Sequence, residues 1–277
     1  MCNAIEPVVM KYVLILCVTY HSDEELQGYV QSVDAAASLV AGECKVDVFV
    51  ADNAASRSPE QGSDYAALRT YRTFPFPENL GYLGAAGRML SEVEDVAQYD
   101  YVAISNVDLY MPQDFFQKLL QVSLPARVGW LATSILSSLE GRDRNPKILC
   151  RYTRRKLYLL RFLFKYGWLH ALYVNTLYRR KSKRRSLPAM PVYAGHGSFM
   201  LFTREFISHY PAIDYPVFLF GEEIFLAELC RQAHLQVFYE PALVIHDTEH
   251  CSTGKMRRKS YYQYNYDAIS YILKVFY

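Results

Sequence analysis

Apolar and polar positions fall into alternating blocks along the first half of the chain. Tyr12–Thr19 is a continuous apolar run of buried-strand length, and Glu24–Val40 repeats its apolar positions at helical spacing behind acids in the first turn. Lys45–Ala51 predicts a second strand ending at Asp52-Asn53, and Thr70–Phe74 a short extended piece leading to Pro75 and Pro77. A helix opened by Gly81 and reaching about Val96 comes next, then the strand Tyr101–Ser105, a helix over Gln113–Val122 and a strand near Val128–Thr133. Strands alternating with helices predict an α/β fold, with a mostly parallel twisted sheet covered on both faces.

The pattern breaks across residues 140–190, which are basic and aromatic, and resumes with Tyr193-Ala-Gly-His-Gly-Ser-Phe-Met-Leu-Phe202. Beyond Phe218 an apolar run ends at adjacent carboxylates, Glu222 and Glu223, where a helix begins at once. A further strand is expected to run to Pro241 and another to deliver His246; the tail from Lys255 is basic, then aromatic, with a helix over Tyr261–Val275. The expected organisation is one α/β domain over 8–250, in halves 8–135 and 190–250, with a helical insertion at 140–190 and a helical tail at 251–277.

In open α/β sheets, ligands gather beyond the carboxyl ends of the strands. Polar residues stand at three such ends: Thr19-Tyr20-His21, Asp52-Asn53 and Asn106-Val107-Asp108. Their convergence on one rim predicts a binding site.

Composition narrows the class. The chain has 277 residues, 51% hydrophobic and 21% charged, enough for one substantial core with a small appendage. Its 24 Tyr and 15 Phe against 2 Trp suit both core filling and stacking on bases or sugars. The six cysteines (Cys2, Cys17, Cys44, Cys150, Cys230, Cys251) form no CxxC pair, which fits a reducing cytoplasm better than a disulfide scaffold or structural zinc. Met1–Pro7 holds no basic leader, and Lys11 interrupts the Val8–Val18 run, so that run reads as a core strand rather than a signal peptide. The net charge of +2 hides an asymmetry: residues 151–185 carry twelve Lys or Arg and no acid, so the rest is net acidic.

Six motifs in order resemble those of glycosyltransferase family 2. They are Val13-Leu-Ile-Leu-Cys-Val-Thr-Tyr-His21, Asp52-Asn53-Ala54, Glu78-Asn-Leu-Gly-Tyr-Leu-Gly-Ala-Ala-Gly87, Asn106-Val-Asp108, Gly197-Ser-Phe-Met200, and the Glu222-Glu223 block ending at His246. The likeness covers roughly residues 11–135 and 190–250, and its flavour is that of the bacterial rhamnosyltransferase-like branch that builds cell-surface polysaccharides. It implies a GT-A-type fold, a nucleotide-sugar donor carrying UDP or dTDP, a glycan or lipid-linked acceptor hydroxyl, and inversion at the anomeric carbon. The first half would bind the donor and the second the acceptor.

The resemblance also implies roles. Asp108 takes the place of the metal-holding acid, with Mg²⁺ or Mn²⁺ as the ion, because hard cations take oxygen ligands. Asn106 stands where a second aspartate is common, so the site has one charge fewer for the ion. His246 is the second candidate metal ligand; His250 and His196 are weaker ones. Glu223 is the expected base for the acceptor proton, with Glu222 orienting the acceptor or a basic neighbour. Asp52, Thr19 and Tyr20 would contact the nucleoside, and Asn79 and Gly81 open a helix whose N-terminus would face the nucleotide. Each residue has a plainer reading too: Asp108 as a turn cap, His246 as a structural histidine, the two glutamates as favourable charges at a helix start.

The insertion is the remaining puzzle. Leu157–Tyr178 is long enough to span a bilayer, yet Arg161, Lys165 and Gly167 interrupt it, so a spanning helix is not expected. With the Arg179–Arg185 cluster it suits peripheral contact with the inner face of a membrane, or packing against the catalytic domain or a second subunit. No nucleic-acid module accompanies the charge. From other classes, a catalytically inactive sugar- or lipid-binding module and a sugar-nucleotide nucleotidyltransferase also suit the fold; the acidic His21-Ser-Asp-Glu-Glu25 loop disfavours the latter.

Overall fold

A computed structural model describes residues 9–55, 65–176, 187–248 and 257–277. One open sheet runs through the molecule in the order β3-β2-β1-β4-β9-β6-β10-β5. Its first four members are β1 (Lys11–Thr19), β2 (Cys44–Asp52), β3 (Thr70–Pro75) and β4 (Tyr101–Ser105), all mutually parallel. β5 (Leu109–Tyr110), β6 (Val128–Ser137), β9 (Phe199–Thr203) and β10 (Gln236–Asp247) complete the path, while β7 (Arg142–Asp143) and β8 (Met190–Val192) pair at its margins.

The expected α/β sheet flanked by helices is present, with a mixed strand direction. β9 runs antiparallel between β4 and β6, so it joins the parallel first half to the parallel β6–β10 pair. Strand periodicity divides the core: Leu14 and Leu16 of β1 face one layer, Val13, Ile15 and Cys17 the other. The first layer packs α2 (Tyr82–Ser91), α6 (Arg204–His209), α7 (Glu222–Gln232) and α8 (Arg258–Phe276) through Met89, Phe206, Leu226 and Ile272. The second packs α1 (Asp23–Ser38) and α3 (Phe115–Gln121) through Tyr29, Val30, Phe116 and Leu119. Each such fully buried aliphatic side chain contributes about 1.5–3 kcal/mol.

Two expectations change. The helix opened by Gly81 ends at Ser91 rather than near Val96, and a separate 3-10 turn covers Val96–Gln98. The two strands expected on either side of Pro241 are one strand, β10, whose pairing with β6 breaks between Glu240 and Val244. Pro241 has no N–H to give a ladder, so the chain bulges there and resumes pairing beyond it. As the interruption at Gly167 leads one to expect, the Leu157–Tyr178 run is divided there, into α4 (Arg154–Lys165) and α5 (Gly167–Thr176). Thr153 caps α4 by accepting the Lys156 N–H at 3.2 Å. Among the described residues no helix is long and apolar enough to cross a membrane. The Arg179–Arg185 cluster, His250 and the start of the tail lie outside the described residues.

Candidate active site

The strand ends meet as expected. Thr19 and Asp52 are register partners at the ends of β1 and β2, and the Asn53 N–H donates to the Thr19 carbonyl at 3.0 Å. Beyond β4, the Asn106 N–H donates to the Ser198 carbonyl at 2.8 Å, tying this rim to the turn before β9. Asp52 is fully buried and one carboxylate oxygen accepts the Ala54 N–H at 2.9 Å. Tyr20 is 47% exposed, its ring 4.4 Å from that of His21, and so is open to stacking.

Asn53, given no separate role in the sequence reading, holds the next loop. Its amide donates to the Gly81 carbonyl at 2.9 Å and accepts the Leu80 N–H at 3.2 Å, while Asn79 accepts the Gly81 N–H at 2.9 Å. Gly81 has φ 74°, and a Cβ there would stand 1.9 Å from the Phe218 carbonyl oxygen. Only glycine lets the loop before Glu222 close over the start of α2.

The two glutamates open α7 in different settings. Glu222 is 7% exposed, and its carboxylate accepts the Phe220 N–H at 2.8 Å. Burial first, and the neighbouring Glu223 charge second, push its carboxyl up to about 8. Glu223 is half-buried and faces the turn before β9: a Cβ on Gly197 would lie only 3.2 Å from its Oε1. Any side chain at 197 would therefore crowd this carboxylate. The Tyr82 hydroxyl donates to the Gly197 carbonyl at 2.8 Å, and burial followed by the charge on Glu222 keeps the phenol protonated.

His196 completes this turn. Its N–H donates to Asn145 at 2.7 Å, and its Nδ1 accepts the Ser198 N–H at 3.2 Å, which leaves the ring proton on Nε2. Burial, then the charges of Lys147 and Arg144, hold the ring well below the usual imidazole range, so it is neutral. Arg144 and Lys147 come from the margin of the insertion, where the sequence showed only another stretch of basic residues. Tyr82 was equally illegible, being one tyrosine among many.

Asp108 and His246 are brought to one place by β5, an element the sequence did not reveal. Tyr110 pairs with His246 across β5 and β10, and Thr248 donates backbone and side-chain bonds to the Asp108 carbonyl at 3.1 and 3.0 Å. Asp108 and His246 are thus diagonal neighbours on one face of this ribbon, a relation that spans about 7–8 Å. Burial raises the Asp108 carboxyl, opposed by Arg144 and by a hydrogen bond from Asn106. Arg144 itself is ion-paired with the buried Asp247.

Among the described residues no group of three or more His, Cys, Asp or Glu is gathered as a metal cage. A desolvated carboxylate with one histidine nearby nonetheless fits an ion that draws its remaining ligands from phosphate and water. Asn106 serves here as a hydrogen-bond donor to Asp108, in place of a second acid.

No protein-family model matches the chain, and no curated protein sequence matches it significantly. Solved structures do. The chain shares its fold with S. aureus TarS, a GT-A-type glycosyltransferase, at TM-score 0.51 and 12% identity, over 86% of this chain and 37% of TarS. It therefore spans little more than a third of that protein's length. Looser likenesses reach the catalytic domain of Drosophila β1,4-galactosyltransferase 7 with xylobiose (TM-score 0.47, 13% identity, 92% of this chain and 80% of that one). A point mutant of the same Drosophila enzyme, holding manganese, UDP-Gal and xylobiose, aligns at TM-score 0.43 and 15% identity, over 83% of this chain and 65% of that one. The fold is thus the mixed α/β architecture of the GT-A glycosyltransferases.

Proposed function

We propose that the chain is an inverting glycosyltransferase that moves a sugar from a UDP- or dTDP-sugar to a hydroxyl of a glycan or lipid-linked glycan. The observation that carries this reading is the half-open carboxylate of Glu223 beside Gly197, on the same side as the Tyr82 hydroxyl and the rim that ends in Asp108. Glu223 takes the acceptor proton as the acceptor oxygen bonds to the anomeric carbon. The bond from that carbon to the diphosphate breaks, and its electron pair leaves on the nucleotide. Glu222, held protonated beside it, leaves Glu223 to act as the base.

Tyr20 stacks on the base, and Asp52 and Thr19 face the nucleoside from the strand ends. Asn79, with Asn53, sets the loop at Gly81 that opens α2. Asp108 and His246 would hold Mg²⁺ or Mn²⁺, an ion that supplies positive charge to the leaving diphosphate. Arg144, anchored by Asp247, adds fixed positive charge beside Asp108. The motif pattern favours a rhamnosyltransferase-like, deoxyhexosyl or hexosyl transfer in surface polysaccharide synthesis at the cytoplasmic side.

Thermal unfolding with UDP, dTDP, GDP and CMP, each with and without Mn²⁺, tests the donor site. UDP or dTDP at about a hundred times its dissociation constant should stabilise the fold by roughly 2.7 kcal/mol. Absence of stabilisation by every nucleotide would remove the reading.

A further inference from the structure

We infer that the outward face of α4 and α5 is a docking surface for an anionic lipid bilayer. Arg155, Leu159, Phe162 and Tyr166 recur at intervals of four, three and four residues, so they form one stripe along α4. That stripe faces away from Leu157 and Phe164, which bury α4 in the core. Phe162 is 52% exposed and Trp168, on the first turn of α5, 68%. Side chains of this size seldom stay in water together unless something covers them.

Charge identifies the cover. Arg161 lies over the Tyr158 ring at 5.0 Å and Lys165 over the Tyr166 ring at 5.7 Å, so cations flank the aromatic stripe. No acid occurs anywhere between residues 151 and 185. Tryptophan and tyrosine at the level of the headgroups, with Arg and Lys stems extending to phosphates, match the layering of a bilayer surface. A two-fold dimer through this face would set the stripe against itself and bring like charges together. On its buried side, away from the stripe, α4 reaches the acid pair's loop through α8: the Tyr261 ring lies 6.1 Å from that of Phe164 and 5.3 Å from that of Phe220, two residues before Glu222. The docking does not rest on the glycosyl-transfer reading.

The two tryptophans make the test direct, because Trp130 is fully buried and Trp168 is not. The full chain is titrated with vesicles of phosphatidylcholine alone and of phosphatidylcholine with phosphatidylglycerol, followed by Trp emission and co-sedimentation. The expected result is a blue shift and sedimentation with the anionic vesicles only, both weakened by salt. Trp168→Phe should abolish the blue shift and keep sedimentation, and Arg155→Gln with Lys165→Gln should weaken binding roughly tenfold to thirtyfold. No shift and no sedimentation with anionic vesicles overturns the proposal. So does a shift that tracks protein concentration without lipid, which assigns the face to a second copy, or a shift produced by RNA alone. If nucleotide stabilisation survives such a result, only the docking surface has failed.

Discussion

Helix α7 carries buried carboxylates at its start and in its middle, and the two are built in opposite ways. Glu228, fully buried, accepts from Arg151 at 2.6 and 3.1 Å, from Arg231 at 2.8 Å and from Tyr193 at 2.7 Å. Burial opposes its charge, but these donors outweigh burial and hold the carboxyl below its ordinary range. Glu222, also buried, accepts only from backbone N–H groups among its described bonds and is pushed the other way. Its neighbour Glu223 opens onto the Gly197 turn. Burial alone therefore does not make a carboxylate reactive; the supply of donors decides. The middle of the helix is a clasp joining the insertion, α7 and Tyr277, and its start holds the proposed base.

The contrast can be broken at either carboxylate. Glu223→Gln should lower kcat by about a hundredfold to ten-thousandfold with nucleotide stabilisation intact, since it removes the proton acceptor and nothing the nucleotide touches. Full activity in that variant would dismiss Glu223 as base. Glu228→Gln should leave the acid pair in place but cost about 1–3 kcal/mol in chemical denaturation, because Tyr193 and the two arginines lose a shared charge while the arginines stay within reach of water. A cost near zero would show that the clasp contributes nothing.

Smaller effects sharpen the same comparison. The folded protein binds the Glu222 proton more tightly than the unfolded chain does, so this residue makes stability fall as pH rises from the ordinary carboxylate range toward about 8. Glu222→Gln should flatten that slope and stabilise the protein above the window by about 1–2 kcal/mol, with Tm rising about 2–4 °C per kcal/mol. An unchanged pH profile of Tm would place the proton elsewhere. Glu228 has the opposite sign: its contribution is present above the ordinary carboxylate range and lost as pH falls. Tyr82→Phe should cost about 1 kcal/mol in stability through the bond to Gly197 and lower kcat modestly. A loss as large as that of Glu223→Gln would mean that Tyr82 itself takes part in proton transfer.

Much of this architecture was legible along the chain. The strands at 11–19, 44–52 and 101–105 announce themselves because a buried parallel strand is continuously apolar, and the polar residues closing them mark the rim. Glu222-Glu223 stood out because two acids interrupted an apolar run. Glu228 did not, since a mid-helix acid on its own looks like any solvated one. The antiparallel β9 was also hidden: a strand's sequence shows its faces but not its neighbours or its direction. The two-residue β5 is too short to have a period at all, yet it sets Asp108 beside His246.

The chain's own sequence determined which segments are strands and helices and which polar residues stand at their ends, because those follow from local periodicity and from breaks in it. Tertiary structure alone decided which glutamate is clasped, which is buried and protonated, and which faces the Gly197 turn. Burial and donor supply are contributed by residues far apart in the chain: Arg151 and Tyr193 for the middle of α7, Tyr82 and Gly197 for its start. Protonation is a property of the place a side chain reaches, and only packing sets that place.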